Sequence, residues 1–321
     1  MKKIILVFCF TLIFATIWAE SLDEKMERFG KENGKMYLQP LVTAFGANLN
    51  SGFYNTAKVI KPFRFGVFFN TMAAFIPNSA KTFQAVRPDL IVNIDGTDYY
   101  VYQPEEVESA TVFGDQGGDF TINNSIPEEI NTNGMEINLP NGAELPLVPL
   151  ITPQFHFGLP AGNELMFRFF PKTEVNKNLG EVSFLGAGIK HSLNKSLLKL
   201  IPIDLAVQMV YQSLKVGDLI DVTSVAMNAQ ISKKLLMWTI YGGLGYENTK
   251  LKIEYQTEQM IYNANINGFE STQIDIDFEI DGENDFRATA GIRYSMLMVK
   301  FYADYSLCKY PVTNVGFGVA F

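Results

Sequence analysis

The sequence predicts an all-β fold, a transmembrane antiparallel β-barrel of about 10–14 strands with twelve as the central estimate, preceded by a short helical segment. Three observations carry this prediction. Phe321, Val319, Phe317 and Val315 alternate with Ala320, Gly318, Gly316 and Asn314, giving one apolar face and one small or polar face. That is the twofold side-chain period of a strand, and the two preceding segments show it too. Of 321 residues, 47% are hydrophobic and mean hydropathy is near zero. Yet no stretch after residue 20 holds the roughly 18 consecutive apolar residues that a membrane-spanning helix needs. A barrel reconciles these facts, because only alternate residues of each strand must face lipid.

The N-terminus reads as a secretory signal over residues 1–19. Lys2 and Lys3 form a basic n-region, Ile4 to Ile17 an apolar core, and Ala19 the small residue before a cut at Glu20. A retained anchor is the alternative, disfavoured by the short core. Cleavage would remove Cys9 and leave Cys308 alone, so no intrachain disulfide is expected. It would also take the formal charge from −8 to about −10, which argues against a nucleic-acid partner. Export without disulfides suits the outer membrane of a Gram-negative cell.

Residues 20–62 form the predicted helical segment. Leu22, Met26 and Phe29 suit a short amphipathic helix stopped near Gly30 and Gly34. A second helix is expected over Tyr37–Ala47, with Leu38, Leu41, Val42 and Phe45 on one stripe, and Leu49-Asn50-Ser51-Gly52 reads as a turn. With Tyr37, Leu41 and Phe45 as plug candidates, these helices could plug the lumen or lie beneath it in the periplasm. An extension that only packs is the plainer alternative.

Residues 63–321 are the expected barrel, with long outer loops near 77–150 and 247–285. Strands begin near Arg64. Asp89–Gln103 is a hairpin candidate around Asp95-Gly96, and the Gly-, Asn- and Glu-rich residues after it read as a long exposed loop. Clear strands follow at Gln154–Leu159, Leu165–Phe170, Glu181–Lys190, Ile203–Tyr211, Val222–Ile231 and Leu236–Tyr246. Phe286–Tyr294, Leu297–Leu307 and Val312–Phe321 complete a confident ten. Counted back from Phe321, connections near 295, 233, 195 and 161 fall at one end. Those near 309, 265, 215, 175 and 77–150 fall at the other, which places both long insertions outside.

On this reading the lumen is polar and lined by Arg64, Arg168, Asp204, Gln208, Asn228, Gln230, Arg287, Arg293, Lys300 and Asp304. Opposite charges there suggest a structural network, with a substrate-binding role as the alternative. A soluble β-sandwich would bury the apolar face instead. Tyr246, Tyr294 and Tyr305 suit an interfacial aromatic girdle.

Little points to chemistry. His156 and His191 are the only histidines, too few for a multi-histidine metal site, and a Ser/His hydrolase would need a serine and an orienting group beside one of them. Asp275, Asp277, Glu279 and Asp281 with Gly282 invite a calcium-loop reading. Position twelve would then be Ala288 rather than Glu, and interleaved Ile274, Ile276, Phe278 and Ile280 make an acidic-faced strand the simpler account. The strand glycines form no phosphate loop, and on barrel strands they relieve crowding at bends. No cofactor, metal or enzymatic activity is expected.

Some motifs carry resemblances. A final strand ending on an aromatic resembles bacterial outer-membrane barrels and their assembly signal, which implies the barrel-assembly machinery as a partner through Phe321. Tyr37-Leu38-Gln39-Pro40, Leu49-Asn50-Ser51-Gly52-Phe53-Tyr54 and Gly188-Ile189-Lys190-His191, with Pro153-Gln154, Gly158-Leu159-Pro160, Leu179-Gly180-Glu181-Val182 and Tyr211-Gln212-Ser213, resemble an uncharacterised outer-membrane family, domain of unknown function 6588. That family implies no activity. A helical segment ahead of a barrel is distantly similar to FadL-type transporters, which implies passive uptake of small hydrophobic cargo. The competing expectation is a structural or surface-interaction barrel without transport.

Overall fold

The computed structural model describes residues 30–321 except 133–134, 177–179, 195–201, 218–219 and 264–267. The expected signal segment and the Leu22–Met26–Phe29 helix lie outside the described residues. The described residues start with a helix, α1 (Lys31–Leu49), followed by β1 (Phe65–Phe75). Seven short strands follow: β2 (Thr82–Val86), β3 (Ile91–Ile94), β4 (Thr97–Tyr100), β5 (Tyr102–Gln103), β6 (Glu106–Ala110), β7 (Asp119–Ile122) and β8 (Ile137–Asn138). The long strands are β9 (Leu147–Leu159), β10 (Asn163–Asn176), β11 (Gly180–Ser192), β12 (Asp204–Val216), β13 (Ile220–Leu235), β14 (Trp238–Asn263), β15 (Gly268–Asp281), β16 (Phe286–Met296), β17 (Val299–Leu307) and β18 (Val312–Ala320).

Ten strands close the wall, in the order β1, β9, β10, β11, β12, β13, β14, β16, β17, β18 and back to β1. Each pairs antiparallel with its chain neighbour in the ring, and the β1–β18 ladder (Phe69 opposite Phe317) seals the seam. Closure removes the unpaired edges that an open sheet would leave. The count is ten rather than the central estimate of twelve, for two reasons. The 89–103 hairpin forms as β3–β4, with Asp95 at φ 50° and Gly96 at φ 82° as a type I′ turn requires, but it stands apart from the wall. The 251–280 region extends the sheet without joining the ring, since β15 pairs with the far half of β14 and not with β16.

The two longest insertions fall at the same end, as expected. Short turns at 160–162, 236–237 and 297–298 mark one end, here the turn end; the residue 76–146 insertion and the β14–β15 hairpin mark the other, the cap end.

The wall is inverted relative to a soluble protein. On β18 the outward Val315 and Phe317 are exposed, Phe317 by 53%, while Asn314, Gly316 and Gly318 are buried. The same outward display runs through Phe155, Phe157, Phe167, Phe169, Leu185, Ile189, Met209 and Met227. Fully buried side chains include Arg168 and Lys190. A soluble sandwich does the opposite, because burying ionised groups while wetting aromatics is unfavourable in water; surrounded by hydrocarbon, the same arrangement is favourable. Trp238 stacks near Tyr294 at the turn end and Tyr246 near Phe286 toward the cap end. Strand between them, at about 3.3 Å per residue and a tilt of roughly 40°, spans roughly 20 Å, most of the ~25 Å apolar band of such barrels.

Two expectations about loops and helices are corrected. The Gly-, Asn- and Glu-rich stretch is a folded cap, not an exposed loop: Val101, Tyr102, Phe113, Phe120 and Leu139 are buried in a core continuous with α1. Its apolar residues are too widely spaced to show a period, so composition alone suggested a loop. The helix expected over Tyr37–Ala47 begins earlier, at Lys31, and runs through Gly34 and past Pro40. Glycine costs about 1 kcal/mol and proline about 3 kcal/mol inside a helix, so this helix is held by its surroundings and not by propensity.

Glycines on the wall make room for large inward side chains on the neighbouring strand and do not mark bends. A Cβ on Gly316 would collide with the Tyr302 ring, and one on Gly291 with the Tyr241 ring.

Replacing outward Phe317 with Arg is expected to cost about 2–4 kcal/mol of folding stability in lipid vesicles, read by urea titration. The same change at Leu297, 95% exposed in a turn-end loop, should cost only about 0–1 kcal/mol. Equal costs at both positions would show that the outward belt does not meet hydrocarbon.

Candidate functional site: the lumen and the segment that threads it

The interior has two layers. At the cap end the inward residues are apolar: Val182 and Phe184 on β11, Leu214 and Val216 on β12, Ile220 and Val222 on β13, Leu251 and Ile253 on β14. They pack with Tyr37, Leu38, Leu41, Val42 and Phe45 of α1 in one cluster. Toward the turn end the same strands turn polar, through Gln212, Gln208, Ser224, Asn228 and Glu247 to Lys190. The lumen is therefore polar only over part of its length.

The cap closes on the first turns of α1. Asn33 Nδ2 donates to the Val86 carbonyl at 2.8 Å and the Val86 amide donates to Asn33 Oδ1 at 2.9 Å. The Tyr37 hydroxyl donates to the Asn141 carbonyl at 3.2 Å.

The other end of α1 reaches the middle of the barrel, where its last carbonyls need donors. The helix carries no basic residue in its last turn, and the wall supplies them. Arg168 Nη1 donates to the Leu49 carbonyl at 2.9 Å and Nη2 to the Ser51 carbonyl at 2.7 Å. Arg287 Nη2 donates to the Ala47 carbonyl at 2.7 Å and Nη1 to Ser51 Oγ at 2.6 Å. Gln212 Nε2 adds a bond to the Leu49 carbonyl at 2.6 Å. Two guanidinium groups thus face the negative end of the helix dipole.

Each arginine is held from behind. The Arg287 fork grips Glu247, Nε to Oε2 at 2.9 Å and Nη2 to Oε1 at 3.0 Å, a bidentate ion pair. Arg168 Nε donates to Gln154 Oε1 at 2.7 Å, and its guanidinium lies 3.6 Å from the Phe53 ring centroid. Deeper in the polar layer, Asp304 accepts from the Tyr241 hydroxyl at 2.7 Å and Asn314 Nδ2 at 2.8 Å.

Below the helix the chain continues extended through the lumen. Gln154 Nε2 donates to the Phe53 carbonyl at 2.9 Å, and Asn55 Oδ1 accepts from Arg293 Nη1 at 2.8 Å. The Ala57 amide donates to Ser232 Oγ at 3.0 Å, and the Ile60 amide to Glu164 Oε2 at 2.6 Å. Glu164 Oε1 also meets His156 Nδ1 at 2.6 Å and Lys190 Nζ at 3.0 Å. The other ring nitrogen of His156 faces the Gln154 amide, where a hydrolase would need a hydroxyl.

The named lumen candidates are placed as follows. Arg168, Arg287 and Asp304 are buried inside, Arg293 is half-buried there, and Lys300 and Asp204 sit half-buried at the turn-end mouth. Arg64 is exposed at the mouth, because the chain turns at Phe63 (φ 62°) before β1 begins, which corrects its lumen-lining role. Glu164, Lys190 and Glu247 were not named. Glu164 precedes the expected start of its strand but shares the inward parity of Arg168. Glu247 fell in the polar insertion, although β14 runs straight through it for 26 residues. On β15, Asp275, Asp277, Glu279 and Asp281 point out to solvent while Ile276, Phe278 and Ile280 are buried; Lys250 bridges Glu279 and Asp281.

Arg287→Ala should cost about 3–5 kcal/mol by urea titration, because Glu247 is left buried and unpaired. Glu247→Leu combined with Arg287→Ala should recover a substantial part of the loss, which identifies the stranded carboxylate as its source. Arg168→Ala should expose residues 50–61 to protease, since the Ser51 carbonyl loses its donor at about 1–3 kcal/mol while the Leu49 carbonyl keeps Gln212.

The geometry can be set beside known proteins. No significant match is found among curated proteins. Among solved structures, similar chains are outer-membrane proteins. The trimer form of in-vitro folded OmpT of Vibrio cholerae is 10% identical, with a TM-score of 0.25, covering 80% of this chain and 98% of that one. The outer-membrane channel DcaP of Acinetobacter baumannii is 9% identical, with a TM-score of 0.20, covering 82% and 100%. A BenF-like porin of Pseudomonas fluorescens Pf-5 is 9% identical, with a TM-score of 0.17, covering 80% and 97%. These values are too low to align the folds strand for strand. The family of unknown function DUF6588 matches over residues 1–321, and the chain belongs to it.

Proposed function

We propose that the protein is an outer-membrane β-barrel sealed by its own residues 31–61, with a structural or surface-interaction role in place of free diffusion through the lumen. The observation that carries this reading is the use of the interior. α1 fills the apolar layer, and the chain after it satisfies Arg168, Arg287, Glu164 and Ser232.

Passage of small hydrophobic molecules, expected from the FadL likeness, needs an apolar pocket between Tyr37–Ala47 and the wall. There, Tyr37, Leu41 and Phe45 are packed into the cluster with the wall residues themselves. The large apolar grooves, such as the one of about 510 Å³ bounded by Leu205, Leu244, Tyr305 and Leu307, lie on the outward face.

The cap is the part presented beyond the membrane. Residues 76–146 carry twelve acidic side chains against Lys81 and Arg87, so the partner that fits is a cationic surface, approached faster at low salt. Assembly would run through the final strand ending at Phe321 and outer-membrane lipid would surround the belt; no cofactor or catalytic step enters this reading.

The full chain in planar bilayers should show no steady conductance, and liposomes carrying it should take up neither long-chain fatty acids nor small sugars above empty controls. A stable open channel, or fatty-acid uptake by the unaltered protein, would overturn the sealed-barrel reading.

A further inference from the structure

The threading segment leaves a cavity of about 140 Å³ in the turn-end mouth, and its wall gathers Lys58, Lys190, Arg293 and Lys300 around one carboxylate, Glu164. That carboxylate is already committed to the Ile60 amide, His156 and Lys190. Among the described residues Arg293 and Lys300 hydrogen-bond only to neutral groups, and the carboxylates acting on Arg293 at longer range are Glu164 and Asp204. Arg293 Nη1 bonds the Asn55 side-chain oxygen, its Nε is buried with no acceptor, and Lys300 Nζ donates to the Leu297 carbonyl at 2.6 Å. Cations gathered in a partly desolvated cavity are unfavourable unless an anion joins them. A guanidinium can grip an oxyanion with two parallel bonds, which an ammonium cannot.

The long-range field favours the same ligand. Segments 76–146 and 247–285 at the cap end hold 22 acidic residues and four basic ones. At the turn end, Lys61, Arg64, Lys233 and Lys234 are exposed around the mouth. An anion is therefore repelled from one end of the barrel and drawn to the other.

We propose that this cavity binds a phosphate group, held by Arg293 and Lys300 with Lys190 and Lys58 completing the charge balance. The group can come from a soluble phosphate or from the headgroup of an anionic phospholipid in the surrounding leaflet. The site is independent of whether the barrel conducts.

The test uses the full chain in zwitterionic nanodiscs, titrated with inorganic phosphate at low ionic strength in a calorimeter. Saturable binding is expected, weakened about tenfold or more by Arg293→Gln and by Lys300→Gln. Lys233→Gln/Lys234→Gln on the rim should leave it within about twofold. Heat-modifiable gel migration checks that each variant is folded. If Arg293→Gln does not fold, Arg293→Lys, which keeps the charge and loses the fork, takes its place and should weaken binding as well. Nanodiscs of anionic phospholipid then identify the source: weaker apparent phosphate affinity there assigns the site to a headgroup, and unchanged affinity assigns it to soluble phosphate. Absence of saturable binding, or equal loss from the rim variant and from Arg293→Gln, would overturn the proposal.

Discussion

The interior depends on the meeting of a helix C-terminus with two wall arginines. A helix leaves its last carbonyls without intrahelical donors, and α1 ends inside a barrel with no basic residue of its own nearby. Arg168 and Arg287 supply the donors and the positive charge together. The match is mutual, because a buried guanidinium is costly unless its protons are used. The carbonyls satisfy the arginines as fully as the arginines satisfy the carbonyls. This contact links strands β10 and β16 to the threading segment, which ties the seal to the wall.

Above and below that contact, different physics holds the segment. In the cap half, Leu38, Leu41 and Phe45 share an apolar cluster with β11 to β14, so burial of apolar area does the holding. In the turn half, the chain from Phe53 to Ile60 is held by hydrogen bonds donated by Gln154 and Arg293 and accepted by Ser232 and Glu164. The helix, with Gly34, Pro40 and Gly46 in it, has little stability of its own. Gly46 is still required, because a Cβ there would collide with Thr249 of β14. The cap completes the arrangement by covering the start of α1 with a core of its own.

Much of the wall was legible in the residues. The alternation in Val312–Phe321 and Phe286–Tyr294, the Asp95-Gly96 hairpin turn and the placement of long insertions at one end all follow from the two-residue period and from turn chemistry. Other features were not. The helix break expected at Gly34 rests on propensity, which burial of that residue overrides. The cap looked like loop because Phe113 and Phe120 are separated by glycines and acids, and only packing against α1 makes them a core. Glu164 and Glu247 carry no local mark of burial; their partners lie on other strands.

By itself, the sequence determined that strands would form, which face would meet hydrocarbon and which end would carry the insertions. These are properties of side-chain period and turn residues, readable over ten neighbours. Only the tertiary structure decided that ten strands close the ring, that β14 and β15 extend past it, and that the N-terminal segment runs inside and not beneath. Those outcomes depend on pairings between residues over a hundred positions apart, such as Arg168 with the Leu49 and Ser51 carbonyls and Arg287 with Ala47, and no local pattern encodes them.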